Sequence, residues 1–342
     1  MKMKKDLTTG NVFQTILYFA LPYLLSYFLQ TLYGMADLYI IGQFNGVAAT
    51  TAVSIGSQVM HMLTVIIVGL AMGTTVTVGR DIGAKKTDEA SLAIGNTVTL
   101  FMIVSVVFTL GLLLLLKPIV ALISTPQEAV QGTIQYLFVC FIGIPFITAY
   151  NIISSIFRGL GDSKSPMYFV VVACVANIGL DYLFIGVMSM GPVGAALGTT
   201  LAQTISVAIS LIAIHKKQIG VHLTKKDFKP QVSVMKMLLS IGVPVALQDG
   251  FIQVAFIVIT IIANQRGLNP AAAVGIVEKF ISAAFIVPSS MLATVSALSA
   301  QNIGAGKHDR VQKILRYALM TTTIYGIVMV VLVELFSGQV VG

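Results

Sequence analysis

The loop Gly79-Arg80-Asp81-Ile82-Gly83-Ala84-Lys85-Lys86-Thr87-Asp88 returns later in the chain as Ala300-Gln301-Asn302-Ile303-Gly304-Ala305-Gly306-Lys307-His308-Asp309, in step at an offset of 221 residues. Apolar helices resemble one another by composition alone. A polar loop that shares Ile-Gly-Ala, a Lys and an Asp in register is much harder to obtain by chance, and it marks an internal repeat. At the same offset Ala52, Val53 and Ile55 meet Ala273, Val274 and Ile276, and Pro22 meets Pro244 at 222.

The repeated unit consists of membrane segments. Of the 342 residues 56% are hydrophobic and only 10% charged, too little polar surface to coat a soluble globule of this size. A helix needs about 20 apolar residues to cross a hydrocarbon layer of about 30 Å. Nine stretches qualify, at about 12–42, 47–79, 90–116, 133–157, 166–188, 192–215, 235–263, 271–301 and 311–335. Strands of a membrane β-barrel would alternate over about ten residues each, a pattern this chain lacks. The predicted fold class is therefore an all-α polytopic membrane protein, a helical bundle of about nine transmembrane helices.

The repeat divides the chain into an N-terminal lobe of six helices (1–215), a cytoplasmic linker (216–234) and a partial C-terminal lobe of three helices (235–342). An even number of helices per lobe gives both copies the same orientation, as in parallel-repeat transporters whose site lies between the halves. A complete second lobe would end near residue ~440, so a fragment or a truncated product about three helices short is expected.

Basic residues set the orientation, because Lys and Arg near helix ends stay cytoplasmic. They cluster at alternate ends: Lys2, Lys4 and Lys5; Arg80, Lys85 and Lys86; Arg158 and Lys164; Lys216 to Lys236; Lys307 to Arg316. Only Lys117, Arg266 and Lys279 fall elsewhere, which predicts a cytoplasmic N-terminus in a multi-pass protein of the cell inner membrane. The net charge of +8 is then a topology signal, with weak attraction to lipid headgroups and no call for nucleic acid. The first apolar stretch is too long for a cleavable signal, and no small-residue cleavage site follows a short apolar core. Cys140 and Cys174 are single thiols without metal-type spacing and read as small packing hydrophobes.

Ionisable groups inside a bilayer cost several kcal/mol, so those that persist are candidates for function. Asp37, in the outer half of the first segment, and Asp181, in the outer half of the fifth, lead; Asn177 lies one turn from Asp181 on the same face. Two acids at similar depth in one lobe suit a shared polar cavity that loads and releases protons. The bland alternative is a pair of structural acids that bond to neighbouring helices or snorkel to the surface. Asn151, Gln30, Tyr136 and Thr199 fit the same cavity or act as interhelical glue. Asp249 with Gln248 and Gln253 on the seventh segment, and Glu278 on the eighth, are weaker; Glu278 has Lys279 beside it as a partner. Pro22 and Pro244 each remove a backbone donor, giving either a static kink or a gating bend. His61 reads as packed and neutral, and His215, His222 and His308 have no metal spacing.

Gly159-Leu160-Gly161-Asp162 matches the Gly-x-Gly-Asp of intramembrane aspartyl proteases, a remote alternative in which two aspartates activate water. Arg158, Lys164 and Pro166 around it point instead to a tight turn ending the fourth segment and starting the fifth. No enzyme activity is expected.

Taken together, Arg158-Gly159-Leu160-Gly161-Asp162 with Pro166, the two Ile-Gly-Ala loops, Asp37 with Gly42, and Asn177 with Asp181 resemble the multidrug and toxic compound extrusion (MATE) transporters, on the bacterial DinF-like side. The resemblance covers the whole chain. It implies a MATE-like bundle of two six-helix lobes, the second incomplete here, that exports mostly cationic organic drugs in exchange for H+ or Na+. A monomer without a cofactor is expected. It also implies a cation or proton site at the matching positions Asp37, Asn151, Asn177, Asp181 and Thr199, with Gln30 and Tyr136 less firmly matched and any Na+ held at Asp37 and Asp181. Pro22 matches the bend of helix 1. The helix 7 glutamate of sodium-coupled relatives falls near Gln253, so a second site there is unsupported. Flippases of lipid-linked oligosaccharides in the same superfamily are the nearest competitor; a cavity rich in Arg would favour them, and the predicted helix interiors hold none.

Overall fold

The computed structural model describes residues 6–217, 220–265 and 268–340, without the side chains of 216–217, 261, 264–265, 268–273, 275–276, 278–279 and 336–340. Lys2, Lys4, Lys5 and Arg266, and the side chains of Glu278 and Lys279, lie outside the described residues.

The chain folds into α1 (Val12–Phe44), α2 (Val47–Gly83), α3 (Thr87–Leu114), a short α4 (Leu116–Leu122), α5 (Gln127–Ile142), α6 (Ile144–Gly159), α7 (Lys164–Asp181), α8 (Gly191–Lys217), α9 (Val232–Gln265), α10 (Leu268–Gly304) and α11 (His308–Val340). Among the described residues eight helices are long and apolar enough to cross a membrane, and α5 with α6 passes the same test as a bent pair. Their outward faces carry large apolar side chains, such as Val106, Val107 and Leu110 on α3 and Leu211 and Ile212 on α8. Lipid, not water, is the solvent such faces require.

The fourth span differs from the single helix expected over 133–157. It breaks at Gly143, where α5 and α6 meet at 50°. Pro145 stands at the start of α6 and has no N–H to give back to the preceding turn. The carbonyl of Phe141, four residues before it, instead accepts the Thr109 hydroxyl of α3 at 3.2 Å, so the bend leaves no orphan there. Pro22, by contrast, lies inside a helix that continues through it, and so does Pro244.

Three helix ends close with the same turn, in which a residue of positive φ follows the last helical carbonyls. Lys86 N donates to Asp81 O at 2.9 Å, Asp162 N to Phe157 O at 2.8 Å and Lys307 N to Asn302 O at 2.8 Å, around Lys85, Gly161 and Gly306. The first and third are the two repeated loops, so the backbone repeats where the sequence does. All three lie at the end of the bundle that carries Arg80, Lys85, Lys86, Arg158, Lys164, Lys307 and Arg310, called here the basic end.

α9–α11 pack on α1–α8 in the basic half. A Cβ at Gly83 would overlap Gln301 O, and a Cβ at Gly304 would overlap Arg80 O, a reciprocal pair in which each partner is displaced by 221 residues. Gly73 sits on Leu238 O, and Gly242 on Leu70 O. Only glycine lets two helix backbones approach this closely. Leading segments add to the closure. Lys307 Nζ donates to Thr8 O at 2.7 Å, Arg310 to Gly10 O and Thr9 O at 2.7 Å each, and Leu7 is buried under α10 and α11. In the same way the segment before α9 lies on α3, where Asn96 Nδ2 donates to Asp227 O at 3.1 Å and Thr99 Oγ1 to Phe228 O at 2.8 Å. Toward the other end the approach loosens: Gly250 meets Ile66 only at ordinary contact distance, 3.8 Å. Among the described residues no Cα of α1 comes within 8 Å of α9, although α2 packs on both α9 and α10 and α1 on α10.

Candidate functional site

Asp37 and Asp181 face one another inside the α1–α8 bundle. Asp37 projects from α1, and Asp181 is the last residue of α7, where the helix widens into a π-helical turn over Tyr182–Val187. Both are buried, at 5% and 0% exposure. Thr199 of α8 donates its hydroxyl to Asp37 Oδ2 at 3.3 Å. Asn177, one turn before Asp181, and Asp181 itself are the other polar neighbours of the Asp37 carboxylate. The acids are therefore turned away from lipid and brought together by three helices.

Room for the second acid comes from a residue that is not there. Gly198 of α8 faces Asp181, and a Cβ at that position would fall on Asp181 Oδ1. The sequence reading overlooked Gly198; its place just before Thr199 was the available signal. Tyr33, one turn before Asp37 on the same face, with Gln203 of α8 beside it, extends the polar lining and was also overlooked.

The hydrogen-bond inventory of this cavity is incomplete within the protein. Asp37 Oδ1, both oxygens of Asp181 and both amide atoms of Asn177 are buried with no protein partner among the described residues. No Lys or Arg is among the groups that act on either carboxylate. Two buried carboxylates without a cation cannot both stay ionised cheaply, since each costs several kcal/mol to desolvate and they repel each other. A proton shared between them, or a small hard cation held by carboxylate, hydroxyl and amide oxygens, is the compensation their chemistry fits.

Comparison with known proteins agrees with this architecture. The MatE family model matches residues 22–183 and 244–342. The chain belongs to the MatE family. It is similar to the "Probable multidrug resistance protein YoeA" of Bacillus subtilis strain 168, 27% identical over 96% of this chain and 73% of that protein. It is also similar to the "Probable multidrug resistance protein YpnP" of the same strain, 29% identical over 90% of this chain and 68% of that one. In fold it is similar to the MATE transporter solved as "Crystal structure of MATE in complex with MaL6", with a TM-score of 0.91 at 24% identity, over 99% of this chain and 76% of that chain. This MatE chain is thus a multi-pass membrane protein of a multidrug efflux family.

The remaining candidates in this MatE chain are spread over three places. Tyr136 is buried in the core of the bundle, and its hydroxyl bonds to Ser57 of α2 at 3.0 Å, with its ring against Gly56. Asn151 turns back on its own helix, donating to Ile147 O at 2.8 Å, so it makes no hydrogen bond to the acids. Gln30 is half-buried on α1, two turns before Asp37. Asp249 and Gln253 are half-buried one turn apart on α9, and Asp249 lies within electrostatic reach of Tyr27 of α1. Pro22 is buried in α1, with Ser26 bonded to its carbonyl at 2.8 Å. His61 is corrected: it lies on an exposed face of α2 rather than packed. Cys140 and Cys174 are buried thiols, as small packing residues should be. Among the described residues no group of three or more His, Cys, Asp or Glu could hold a metal ion.

Asp162 accounts for the Gly-x-Gly-Asp motif. Its Oδ1 accepts the N–H groups of Lys164 and Ser165 at 3.0 Å each, and its Oδ2 the Ser165 hydroxyl at 2.6 Å. It caps the first turn of α7 at the basic end, far along that helix from Asp181.

Proposed function

We propose that this chain exports small organic cations across the cytoplasmic membrane by antiport with H+ or Na+, using Asp37 and Asp181 as one coupling unit. The observation that carries the reading is the buried, neighbouring pair of carboxylates, which has no cationic partner among the described residues. In one state the pair holds the coupling ion, assisted by Thr199 and Asn177. In the other it is empty and charged, and α1 shifts around Pro22 to relieve the repulsion. Substrate must prefer one of these states, because an ion that binds both equally moves nothing.

The lobes follow the repeat, 1–215 and 235–342 joined by 216–234, with the basic end cytoplasmic by the distribution of Lys and Arg. Substrate then enters between α1 and α9 from the outer side, where α9 offers Asp249 and Gln253. An acidic wall suits a cationic drug and repels a pyrophosphate-bearing lipid, which speaks against the flippase alternative. The working unit is a monomer surrounded by lipid. As a test, the chain is reconstituted into vesicles and efflux of a fluorescent organic cation is followed under a pH or a Na+ gradient. Asp181→Asn is expected to abolish the part of the efflux that follows the gradient; unchanged gradient-driven efflux in Asp181→Asn would overturn the coupling role.

A further inference from the structure

The two copies of the repeat differ at one helix face. On α3 that face is covered by the chain itself. A Cβ at Gly95 would overlap Asp227, Asn96 donates to Asp227 O at 3.1 Å and accepts from Gln231 N at 2.7 Å, and Thr99 donates to Phe228 O at 2.8 Å. At the offset of 221 these three positions become Arg316, Tyr317 and Met320 on α11. There the segment before α1 stays nearer the helix end, where Asn302, Lys307 and Arg310 donate to the carbonyls of Leu7 to Gly10. Arg316, Tyr317 and Met320 are left exposed on the wall of a groove of about 1110 Å³ between the start of α11 and residues 10–12 of α1.

The groove is graded from charge to hydrocarbon. Lys313 and Arg316, one turn apart on α11, are exposed and make no ion pair among the described residues. Lys307 and Arg310 also line it; both donate to neutral carbonyls, and Arg310 Nε has no protein partner among the described residues. Two acids, Asp309 in the lining and Asp6 within reach of Lys307 and Arg310, stand against these four cations. Above Arg316 the wall turns apolar. Tyr317 lies against the exposed ring of Phe13 of α1, centroids 5.7 Å apart, and Met320 follows one turn on. From Lys313 to Met320 the helix rises about 10 Å, close to the depth over which a leaflet changes from headgroup to acyl chain. A topology signal needs positive charge near a helix end, but no hollow with an apolar upper wall. The matching junction in the first copy, α3 against α9, lies on the outside of the lobe: among the described residues no Cα of α4–α8 comes within 8 Å of α9.

We propose that this groove holds the headgroup phosphate of an anionic phospholipid from the leaflet at the basic end, with Lys313 and Arg316 as its partners and an acyl chain lying on Tyr317, Phe13 and Met320. A guanidinium beside an ammonium suits a phosphate diester, one as a planar fork and the other as a point charge. Basic pockets between membrane helices at headgroup depth recognise lipids of this kind. Lys2, Lys4 and Lys5 at the start of the chain carry the wrong charge to fill the groove. A free phosphate would answer the cations but leave the apolar wall bare. The site joins α1 to α11, and it does not depend on the coupling role of Asp37 and Asp181.

The chain contains no Trp, so Met320→Trp places a single fluorophore at the upper end of the groove. Tyr317→Trp, which keeps an aromatic ring against Phe13, is the reporter if Met320→Trp does not fold. The variant is reconstituted in phosphatidylcholine vesicles that contain rising shares of phosphatidylglycerol with brominated acyl chains, a short-range quencher. Half-maximal quenching is expected at about a fivefold lower share of brominated phosphatidylglycerol than of brominated phosphatidylcholine. In Lys313→Gln/Arg316→Gln the two lipids are expected to quench alike. Lys225→Gln/Lys226→Gln, which removes two exposed cations before α9 and outside the groove, is expected to keep the preference, and so is the unaltered reporter in excess inorganic phosphate. Equal quenching by the two lipids in the reporter itself, a preference that survives Lys313→Gln/Arg316→Gln, an equal loss in Lys225→Gln/Lys226→Gln, or displacement by phosphate would overturn the site. Quenching does not involve transport. Loss of the coupling role in Asp181→Asn efflux and loss of the lipid site are therefore separate results.

Discussion

At Asp181 the missing side chain across the interface matters as much as the carboxylate. Gly198 leaves the volume that Asp181 Oδ1 fills, so Gly198→Ala forces either the carboxylate out of the cavity or α8 away from α7. Overpacking of this kind costs about 1–3 kcal/mol, and near a coupling site it is expected to appear first as function. Gradient-driven efflux should fall at least tenfold (~1.4 kcal/mol) while the protein still folds, checked by thermal unfolding in detergent. Asp162 tests the opposite case, a conspicuous acid with a structural role. Asp162→Ala removes two backbone caps of α7 and is expected to cost about 1 kcal/mol of stability, with efflux per folded molecule unchanged. A sequence shows such acids equally; only their placement tells a cap from a buried pair. Asp37 and Asp181 were legible because both lie inside apolar segments. Gly198 and Tyr33 were not, since a helical glycine or tyrosine has many uses and its neighbour across the interface is unknown.

Elements repeat the lesson for prolines. Pro22, Pro244 and Pro145 all remove a donor, but only at Pro145, which follows Gly143, does the helix break. What permits the break is the Thr109 hydroxyl on Phe141 O, from a helix distant in sequence. Thr109→Val keeps the shape and removes that bond, leaving a buried carbonyl unpaired at a cost of about 1–3 kcal/mol, measurable as a lower unfolding midpoint. Periodicity and length gave the nine spans because lipid imposes both, whereas the split of the fourth depends on tertiary pairing. The leading segment offers a pH test. Burial pushes the Asp6 carboxyl up, but bonds from Thr8 and the charges of Lys307 and Arg310 outweigh it and hold it below its ordinary value of 3.8. A carboxylate lowered on folding contributes above its unfolded value and loses that contribution as pH falls through its folded one. Protection of residues 6–11 from hydrogen exchange at the basic end is therefore expected to be full at neutral pH and to fade only below about pH 4. In Asp6→Asn the protection should be weaker and independent of pH, a modest change because the group is exposed.

On the scale of the whole molecule, two copies of one loop meet at the basic end. Gly83 rests on Gln301 O and Gly304 on Arg80 O, so either glycine enlarged to leucine is expected to wedge the basic half apart. Cysteine cross-linking between α2 and α10 at that end should then fall sharply, with the α1–α8 bundle intact. The repeat was readable because polar loops diverge from chance more clearly than apolar helices do, yet its reciprocal packing could only be seen in three dimensions. Membership of the MatE family, the close packing at the basic end and the buried acid pair in the first eight helices then support one account. Its central claim is that Asp37 and Asp181 act as one unit, and a double-mutant comparison tests this most directly. Gradient-driven efflux of a fluorescent organic cation is measured for Asp37→Asn, Asp181→Asn and the double variant in vesicles. Each single variant is expected to lose it, with the double no worse than the more damaged single; losses that multiply, or full efflux in either single variant, would contradict the account.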